Sequence, residues 1–252
     1  MRGFDSAWPA QPVVPPPLND DDVHVWRFRL DQTGAEMERL RTILDRDEMI
    51  KAERFHFTRD RQHFIVAHGI SRSILARYLR IDPGRISFRY SEYGKPSLAN
   101  KTGDGAIRFN HSHSHGIALL GITRRREIGV DLEHVRDEIE YREIAKLFFS
   151  RREFSTLESL PREAQIKAFY NCWTRKEAYI KAKGGGLSIP LDRFAVSLRP
   201  NEAAALVEVE GDAEETARWS LRELNLGPDY VGSIMVEGHD WKLSCRDWSD
   251  VY

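Results

Sequence analysis

The stretch that most constrains the fold runs from Phe169 to Leu187 and reads FYNCWTRKEAYIKAKGGGL. Its apolar and aromatic residues recur among charged ones with roughly helical spacing, and the glycines Gly184–Gly186 follow them. Glycine is favoured just beyond a helix because it adopts the left-handed conformation of the C-cap at little cost. The sequence therefore predicts a long helix over Pro161–Lys183 that ends at these glycines.

Charged residues on this predicted helix share one side with apolar ones. The positions i, i+3, i+4 and i+7 are occupied by Trp173, Lys176, Glu177 and Ile180. Lys181 lies one turn beyond Glu177. Taken alone, Glu177 and Lys181 have a simple interpretation, a surface ion pair that stabilises the helix by about 0.3–0.5 kcal/mol. Two other stretches favour a functional interpretation.

The first of these stretches, IGVDLE at Ile128–Glu133, is an apolar strand pattern that carries two acids. Asp131 and Glu133 are two residues apart, so a strand places both carboxylates on one face. Neighbouring carboxylates raise each other's pKa unless a cation lies between them. Because Mg²⁺ in proteins is usually held by one or two carboxylates together with substrate phosphates, this spacing suits a magnesium site. Glu177 is available as a third ligand.

The second stretch, FNHSHSHG at Phe109–Gly116, contains three histidines at period two. In a regular strand His111, His113 and His115 would all point the same way and could bind zinc. This alternative predicts a zinc-dependent hydrolase.

Four blocks of sequence, taken together, resemble one enzyme family. They are YGKP at Tyr93–Pro96, FNxSHS at Phe109–Ser114, GVDLE at Gly129–Glu133 and WxxKEAxxK at Trp173–Lys181. Their order and spacing resemble those of the Sfp-type 4'-phosphopantetheinyl transferases, which move phosphopantetheine from coenzyme A to a serine of a carrier protein. The KEA form with Trp173 ahead of it is similar to the branch found in many bacteria and cyanobacteria. A second alternative is a module that binds carrier proteins without catalysis.

The resemblance implies an α+β fold of two similar subdomains related by a pseudo-twofold axis, with the active site in the cleft between them. We place a flexible, Pro-rich tail at residues 1–22, an N-terminal subdomain at 23–110 and a C-terminal subdomain at 111–252. The order of elements that periodicity predicts agrees with two α+β halves. In that order Ile117–Thr123 and Glu127–Glu133 form a hairpin, and the last three strands form a meander.

The resemblance also implies roles for single residues. Asp131, Glu133 and Glu177 would hold Mg²⁺, and the catalytic residues would be Glu177, Lys181 and His113. Lys181 would stabilise the pyrophosphate or the leaving 3',5'-ADP, while either Glu177 or a water on the metal would take the serine proton. The residues expected to bind coenzyme A are Lys51, Gly94, Lys95, Asn110, Ser112, His113, Lys176 and Lys181.

The resemblance leaves the roles of some residues undecided. His111 stands where members of the family usually carry an apolar residue, and His115 stands at a variable position. Phe148 and Phe149 belong to an FFSxxE segment that lies near the carrier-protein groove in the family, so core and interface are equally open for them.

Composition limits the remaining classes of function. The formal net charge of −1 gives no support to nucleic-acid binding, for which a clearly basic domain is expected. The two cysteines are too few for a disulfide framework, and no apolar run approaches the roughly 20 residues of a membrane span. No signal-peptide pattern opens the chain. We expect a cytoplasmic monomer that binds an apo acyl or peptidyl carrier protein and coenzyme A, but no nucleic acid and no membrane.

Overall fold

The structure is a computed structural model that describes residues 8–9, 15–99 and 106–249. Residues 1–7 and 10–14 of the predicted tail lie outside the described residues. Within the described part of the chain, no helix is both long enough and apolar enough to cross a membrane.

Helices and strands alternate in blocks along the chain, which confirms the α+β class. The α-helices of the described residues are α1 Gly34–Arg41, α2 Arg46–Glu53, α3 Thr58–Leu79, α4 Tyr141–Phe148, α5 Arg151–Glu158, α6 Arg162–Lys183 and α7 Ala213–Arg218. The strands are β1 Asp22–Arg29, β2 Phe88–Tyr90, β3 Pro96–Leu98, β4 Ile107–Ser114, β5 Ile117–Arg124, β6 Ile128–His134, β7 Phe194–Val196, β8 Leu206–Val209, β9 Trp219–Leu224, β10 Tyr230–Glu237 and β11 Lys242–Asp247.

Two main sheets organise these strands. One has the order β11-β1-β5-β4, with β11 parallel to β1, and the other has the order β6-β10-β9. The predicted β5–β6 hairpin is wrong, because both edges of β5 are occupied by β1 and β4 and β6 pairs with β10. The predicted meander is right for β9 and β10 and wrong for β11, which crosses to the first sheet.

The first sheet combines strands from the start, the middle and the end of the chain. The boundary that we placed between residues 110 and 111 falls inside β4, and β11 from the C-terminal side pairs with β1. The division into two subdomains and the pseudo-twofold axis stay predictions.

The two main sheets pack face to face between helices. Val25 of β1, Leu119 of β5 and Val130 of β6 belong to one buried cluster between the sheets. On the outer face of the first sheet, Trp26 packs with residues of α3, and α6 covers the second sheet. Both faces of β1 are therefore buried.

Glycine at position 129 lets α6 approach β6 closely. A Cβ atom there would lie 2.0 Å from the backbone oxygen of Ala178 and 2.4 Å from the backbone nitrogen of Ala182. Since real Cβ atoms do not approach backbone atoms so closely, any larger residue would displace the helix. The predicted end of α6 is confirmed, because Gly184 has φ of 73° and its amide donates to the oxygen of Ile180 at 2.9 Å. The position of α6 over β6 brings Glu177 and Lys181 toward the acids of β6.

Candidate active site

Polar side chains on alternate residues of β4 bond to β6 across the gap between the two sheets. The Asn110 Oδ1 atom accepts from the amide of Val130 at 2.9 Å. The Ser112 hydroxyl donates to Asp131 Oδ1 at 2.8 Å, and the Ser114 hydroxyl donates to Glu133 Oε2 at 2.9 Å. These bonds fix both carboxylates of β6 toward β4, as their period-two spacing predicted.

Lys181 of α6 joins this group of side chains. Its Nζ atom lies 2.5 Å from Asp131 Oδ1 and 3.0 Å from Ser112 Oγ. The surface ion pair between Glu177 and Lys181 is thus not the arrangement adopted, because the ammonium group of Lys181 bonds to Asp131, whose side chain is buried. Ser112 accepts from Lys181 and donates to Asp131, so the three side chains hold one another in place.

The cluster carries more negative charge than its one ammonium group offsets. Burial raises the pKa of Glu177 from 4.5 to about 7, and the negative charge of Asp131 adds to this effect. The positive charge of Lys181 lowers this pKa, and the charge of Glu133 raises it. Burial and the charge of Asp131 also raise the pKa of Glu133. The Oδ2 atom of Asp131 is buried and has no hydrogen-bond partner. A buried carboxylate oxygen without a partner is costly, so this atom is suited to bind a cation.

The acids lie in one region without forming a closed metal cage. Among the residues that the structure describes, no group of three or more His, Cys, Asp or Glu side chains is arranged to hold a metal ion. The chemistry of Asp131, Glu133 and Glu177 fits Mg²⁺, which prefers carboxylate oxygens and takes further ligands from substrate phosphates and water. The ammonium group of Lys181 rests on the Asp131 carboxylate.

A cavity of about 250 Å³ opens beside this cluster. One wall is the loop Tyr93–Pro96, which we call the YGKP loop, and the others are Asn110 and His111 of β4 and one side of α6. Glu177 and Lys181 both line it. Gly94 has φ of 82°, a conformation that favours glycine, so the loop can present its backbone to the cavity.

The three histidines do not share one face. His111 packs edge-on against His68 of α3, with ring centroids 5.6 Å apart, and burial followed by the charge of His68 lowers the pKa of His111 to about 3. His115 leaves the strand with φ of 45° and stacks on His134 at 4.1 Å. The zinc alternative required a regular strand through all three residues and is therefore wrong.

His113 lies exposed on β4 near Lys181. Burial, followed by the charge of Lys181, lowers the pKa of His113.

The four predicted basic residues have different surroundings. Lys181 lies at the acidic cluster, and Lys51 places its ammonium group 3.8 Å from the centre of the Tyr90 ring. Lys95 donates to Glu127 Oε2 at 2.9 Å and to the backbone oxygen of Ala182 at 2.7 Å.

Lys176 is not brought to the cavity. It is fully buried, pairs with Glu153 at 2.8 Å and donates to the backbone oxygens of Leu191 and Phe194, each at 2.6 Å. Neighbouring positions on a helix point about 100° apart, so Lys176 points into the core while Glu177 faces the cavity.

Sequence reasoning missed two residues of this region. Ser114 orients Glu133, and its signal was the alternation of Asn110, Ser112 and Ser114 along β4. Glu127 binds Lys95. It directly follows the basic turn Arg124–Arg126, and nothing in the sequence distinguishes it from an ordinary charged residue of that turn.

The two phenylalanines of the FFSxxE segment divide between the two environments. Phe149 is 4% exposed and belongs to the core, whereas Phe148 is 43% exposed and meets Trp173 with ring centroids 5.9 Å apart.

Comparison with known proteins assigns both parts of the chain to one group. A family profile described as the 4'-phosphopantetheinyl transferase superfamily matches residues 127–235, and a profile described as the N-terminal part of 4'-phosphopantetheinyl transferase matches residues 31–122. The 4'-phosphopantetheinyl transferase HetI of Nostoc sp. is 39% identical over 225 residues, which are 89% of this chain and 92% of that protein. The transferase Sfp of Bacillus subtilis is 35% identical over 163 residues, 65% of this chain and 70% of Sfp.

Proposed function

The chain belongs to the 4'-phosphopantetheinyl transferase superfamily, and we propose that the cavity beside Asp131, Glu133, Glu177 and Lys181 is its active site. The enzyme transfers the phosphopantetheine group of coenzyme A to a carrier protein. The assignment of the site rests on the surroundings of the Asp131 carboxylate. Its carboxylate is buried, one oxygen binds Ser112 and Lys181, and the other has no partner.

Mg²⁺ is part of this proposal. Asp131, Glu133 and Glu177 would hold it, since their oxygens are the ligands that this ion prefers and their carboxylates repel one another. When bound, the ion would neutralise charge on the pyrophosphate of coenzyme A.

Glu177 has the properties of a general base. Its side chain lines the cavity, so one carboxylate oxygen is placed to accept a proton from a hydroxyl group there. The serine hydroxyl of the carrier protein gives its proton to Glu177 as its oxygen attacks the phosphorus that bears the pantetheine arm. The bond from that phosphorus to the bridging oxygen breaks, and 3',5'-ADP leaves.

Lys181 acts on the leaving group. Its ammonium group is held at the cavity by Asp131 and Ser112, so it is already in position when negative charge develops on the departing phosphate. A preorganised cation of this kind stabilises the transition state without first having to reorient.

Two of the residues proposed to hold the coenzyme, Gly94 and Asn110, line the cavity. We assign its phosphates and nucleotide to Lys51, His113, Ser112 and Asn110, and its close backbone contact to Gly94. Lys176 is omitted from this set because it is buried against Glu153. We also propose that the enzyme is a cytoplasmic monomer. Light scattering after gel filtration tests the oligomeric state, and cell fractionation tests the location.

Intact-mass spectrometry tests the proposed site. The protein is incubated with coenzyme A, Mg²⁺ and several apo carrier proteins, with a carrier whose acceptor serine is replaced by alanine as the control. We expect a mass increase of one phosphopantetheine group on the native carriers only, and a loss of that increase with Asp131→Asn. Transfer by Asp131→Asn at the native rate would refute the site. Binding of carriers without a mass change would favour the non-catalytic module.

A further inference from the structure

The YGKP loop rests on the glycines that end α6. A Cβ atom on Gly184 would lie 2.9 Å from Lys95 Cδ, and a Cβ atom on Gly186 would lie 3.3 Å from Tyr93 Cβ. Both glycines also have positive φ values, 73° and 53°. The glycines therefore end the helix and also leave the space in which the loop, and the stem of Lys95, lie against it.

The Lys95 side chain crosses Gly184 and ends on the last turn of α6. Its Nζ atom donates to the oxygen of Ala182 at 2.7 Å. The last carbonyl groups of a helix lack partners within the helix and carry partial negative charge, so an ammonium group there is favourable. Lys95 thus binds the end of the helix that carries Glu177 and Lys181.

The same ammonium group binds Glu127, the residue immediately before β6. The distance from Nζ to Glu127 Oε2 is 2.9 Å, and Arg108 of β4 reaches the other oxygen of Glu127 at 3.0 Å. Although burial opposes ionisation, the hydrogen bond and charge of Lys95, followed by those of Arg108, lower the pKa of Glu127. One side chain therefore connects the YGKP loop, the end of α6 and the start of β6.

These three elements are the ones that carry the proposed machinery. Gly94 is in the loop, Glu177 and Lys181 are on α6, and Asp131 is on β6. From these contacts we infer that Lys95 is a positioning residue that sets the YGKP loop at a fixed distance from α6 and β6, rather than a ligand of the coenzyme phosphates. The inference rests on the proposed function, because the residues that it positions are those of the transfer site.

Lys95→Met tests the two roles against each other. If Lys95 positions the site, kcat falls about 10- to 100-fold, the loss expected when reacting groups shift by about 1 Å. The dissociation constant of coenzyme A, measured by calorimetry, then rises by no more than about fivefold, because the displaced loop loses only the backbone contact at Gly94. A ligand role predicts the reverse, because loss of a hydrogen bond to a charged group would weaken coenzyme A binding about tenfold or more while kcat at saturation stays.

Two further variants complete the design. Lys95→Arg keeps a cation that can reach both Glu127 Oε2 and the backbone oxygen of Ala182, so we expect this variant to retain most of the native kcat. Arg108→Met removes a cation from the other oxygen of Glu127 and leaves the Lys95 contact to Ala182 in place. Because the side chain of Arg108 is 41% exposed, this control should alter kcat by no more than about fivefold.

Hydrogen exchange gives a readout that does not depend on transfer. The amide of Gly184 bonds to Ile180 in the last turn of α6, and Lys95→Met should speed its exchange while Arg108→Met does not. If the native protein transfers nothing, the proposed function fails and this comparison still tests the contact. The inference is overturned by a tenfold or larger rise in the coenzyme A dissociation constant, by unchanged kcat, or by unchanged exchange at the end of α6.

Discussion

Glu177→Gln should stabilise the metal-free protein at alkaline pH, although it removes a residue of the proposed active site. The pKa of Glu177 is raised from 4.5 to about 7, first by burial and then by the charge of Asp131. One pKa unit corresponds to about 1.4 kcal/mol, so ionising Glu177 costs about 3 kcal/mol more in the folded protein than in the unfolded chain. Glutamine has nearly the same shape and avoids this cost.

The effect has a defined dependence on pH. Below 4.5 both states hold the proton, and between 4.5 and about 7 the folded protein keeps a proton that the unfolded chain releases. Stability of the native protein therefore falls as pH rises through this window, and the full cost is present above pH 7. The advantage of Glu177→Gln should be near zero at pH 4.5 and should grow to about 3 kcal/mol at pH 8.

Urea unfolding in EDTA at pH 5 and at pH 8 measures this difference. Glu163→Gln, an exposed change in the first turn of the same helix, is the matched control and should shift the unfolding free energy by no more than about 0.5 kcal/mol at either pH. With saturating Mg²⁺ the native protein should gain more stability than Glu177→Gln does. An advantage of Glu177→Gln that is equal at both pH values would refute the electrostatic account of the cluster.

Three other changes test the packing around the site. Gly129→Ala should destabilise the fold by about 3 kcal/mol in urea unfolding, since its Cβ would collide with the backbone of α6; a loss under 1 kcal/mol would contradict the close approach. Lys176→Met should cost about 3–5 kcal/mol because it strands Glu153 in the core, and Glu153→Gln in the same chain should recover part of it; no recovery would argue against the pair. His24 has a pKa lowered by burial from 6.5 to about 4, so the folded protein binds fewer protons than the unfolded chain in that window and loses stability as pH falls. His24→Phe should flatten this slope, and an unchanged slope between pH 6.5 and 4 would exclude His24 as its source.

The local features of the fold were predictable because short-range rules decide them. Helical spacing and the glycines located α6 and its end. The alternation of Asp131 and Glu133 predicted their common face.

Pairing between distant strands was not predictable in the same way. The short basic turn between β5 and β6 looks like a hairpin, but which edges of β5 are free depends on β1 and β4, whose partners the turn does not specify. Similarly, Lys176 and Glu177 are adjacent in sequence, and which one enters the core depends on the rotation of α6 against β6 and β7. Spacing along the helix suggested Glu177 as the ion-pair partner of Lys181. The actual partner, Asp131, lies on β6, and helical spacing gives no information about that strand.

The most direct test of the central claim is calorimetric binding of coenzyme A with and without Mg²⁺ to the native protein and to Asp131→Asn. Mg²⁺ should tighten coenzyme A binding to the native protein by about tenfold or more, which is about 1.4 kcal/mol. In Asp131→Asn, which keeps the shape of the side chain but not its charge, Mg²⁺ should have little effect. The same tightening by Mg²⁺ in both proteins would contradict the claim that Asp131 holds the ion against the diphosphate.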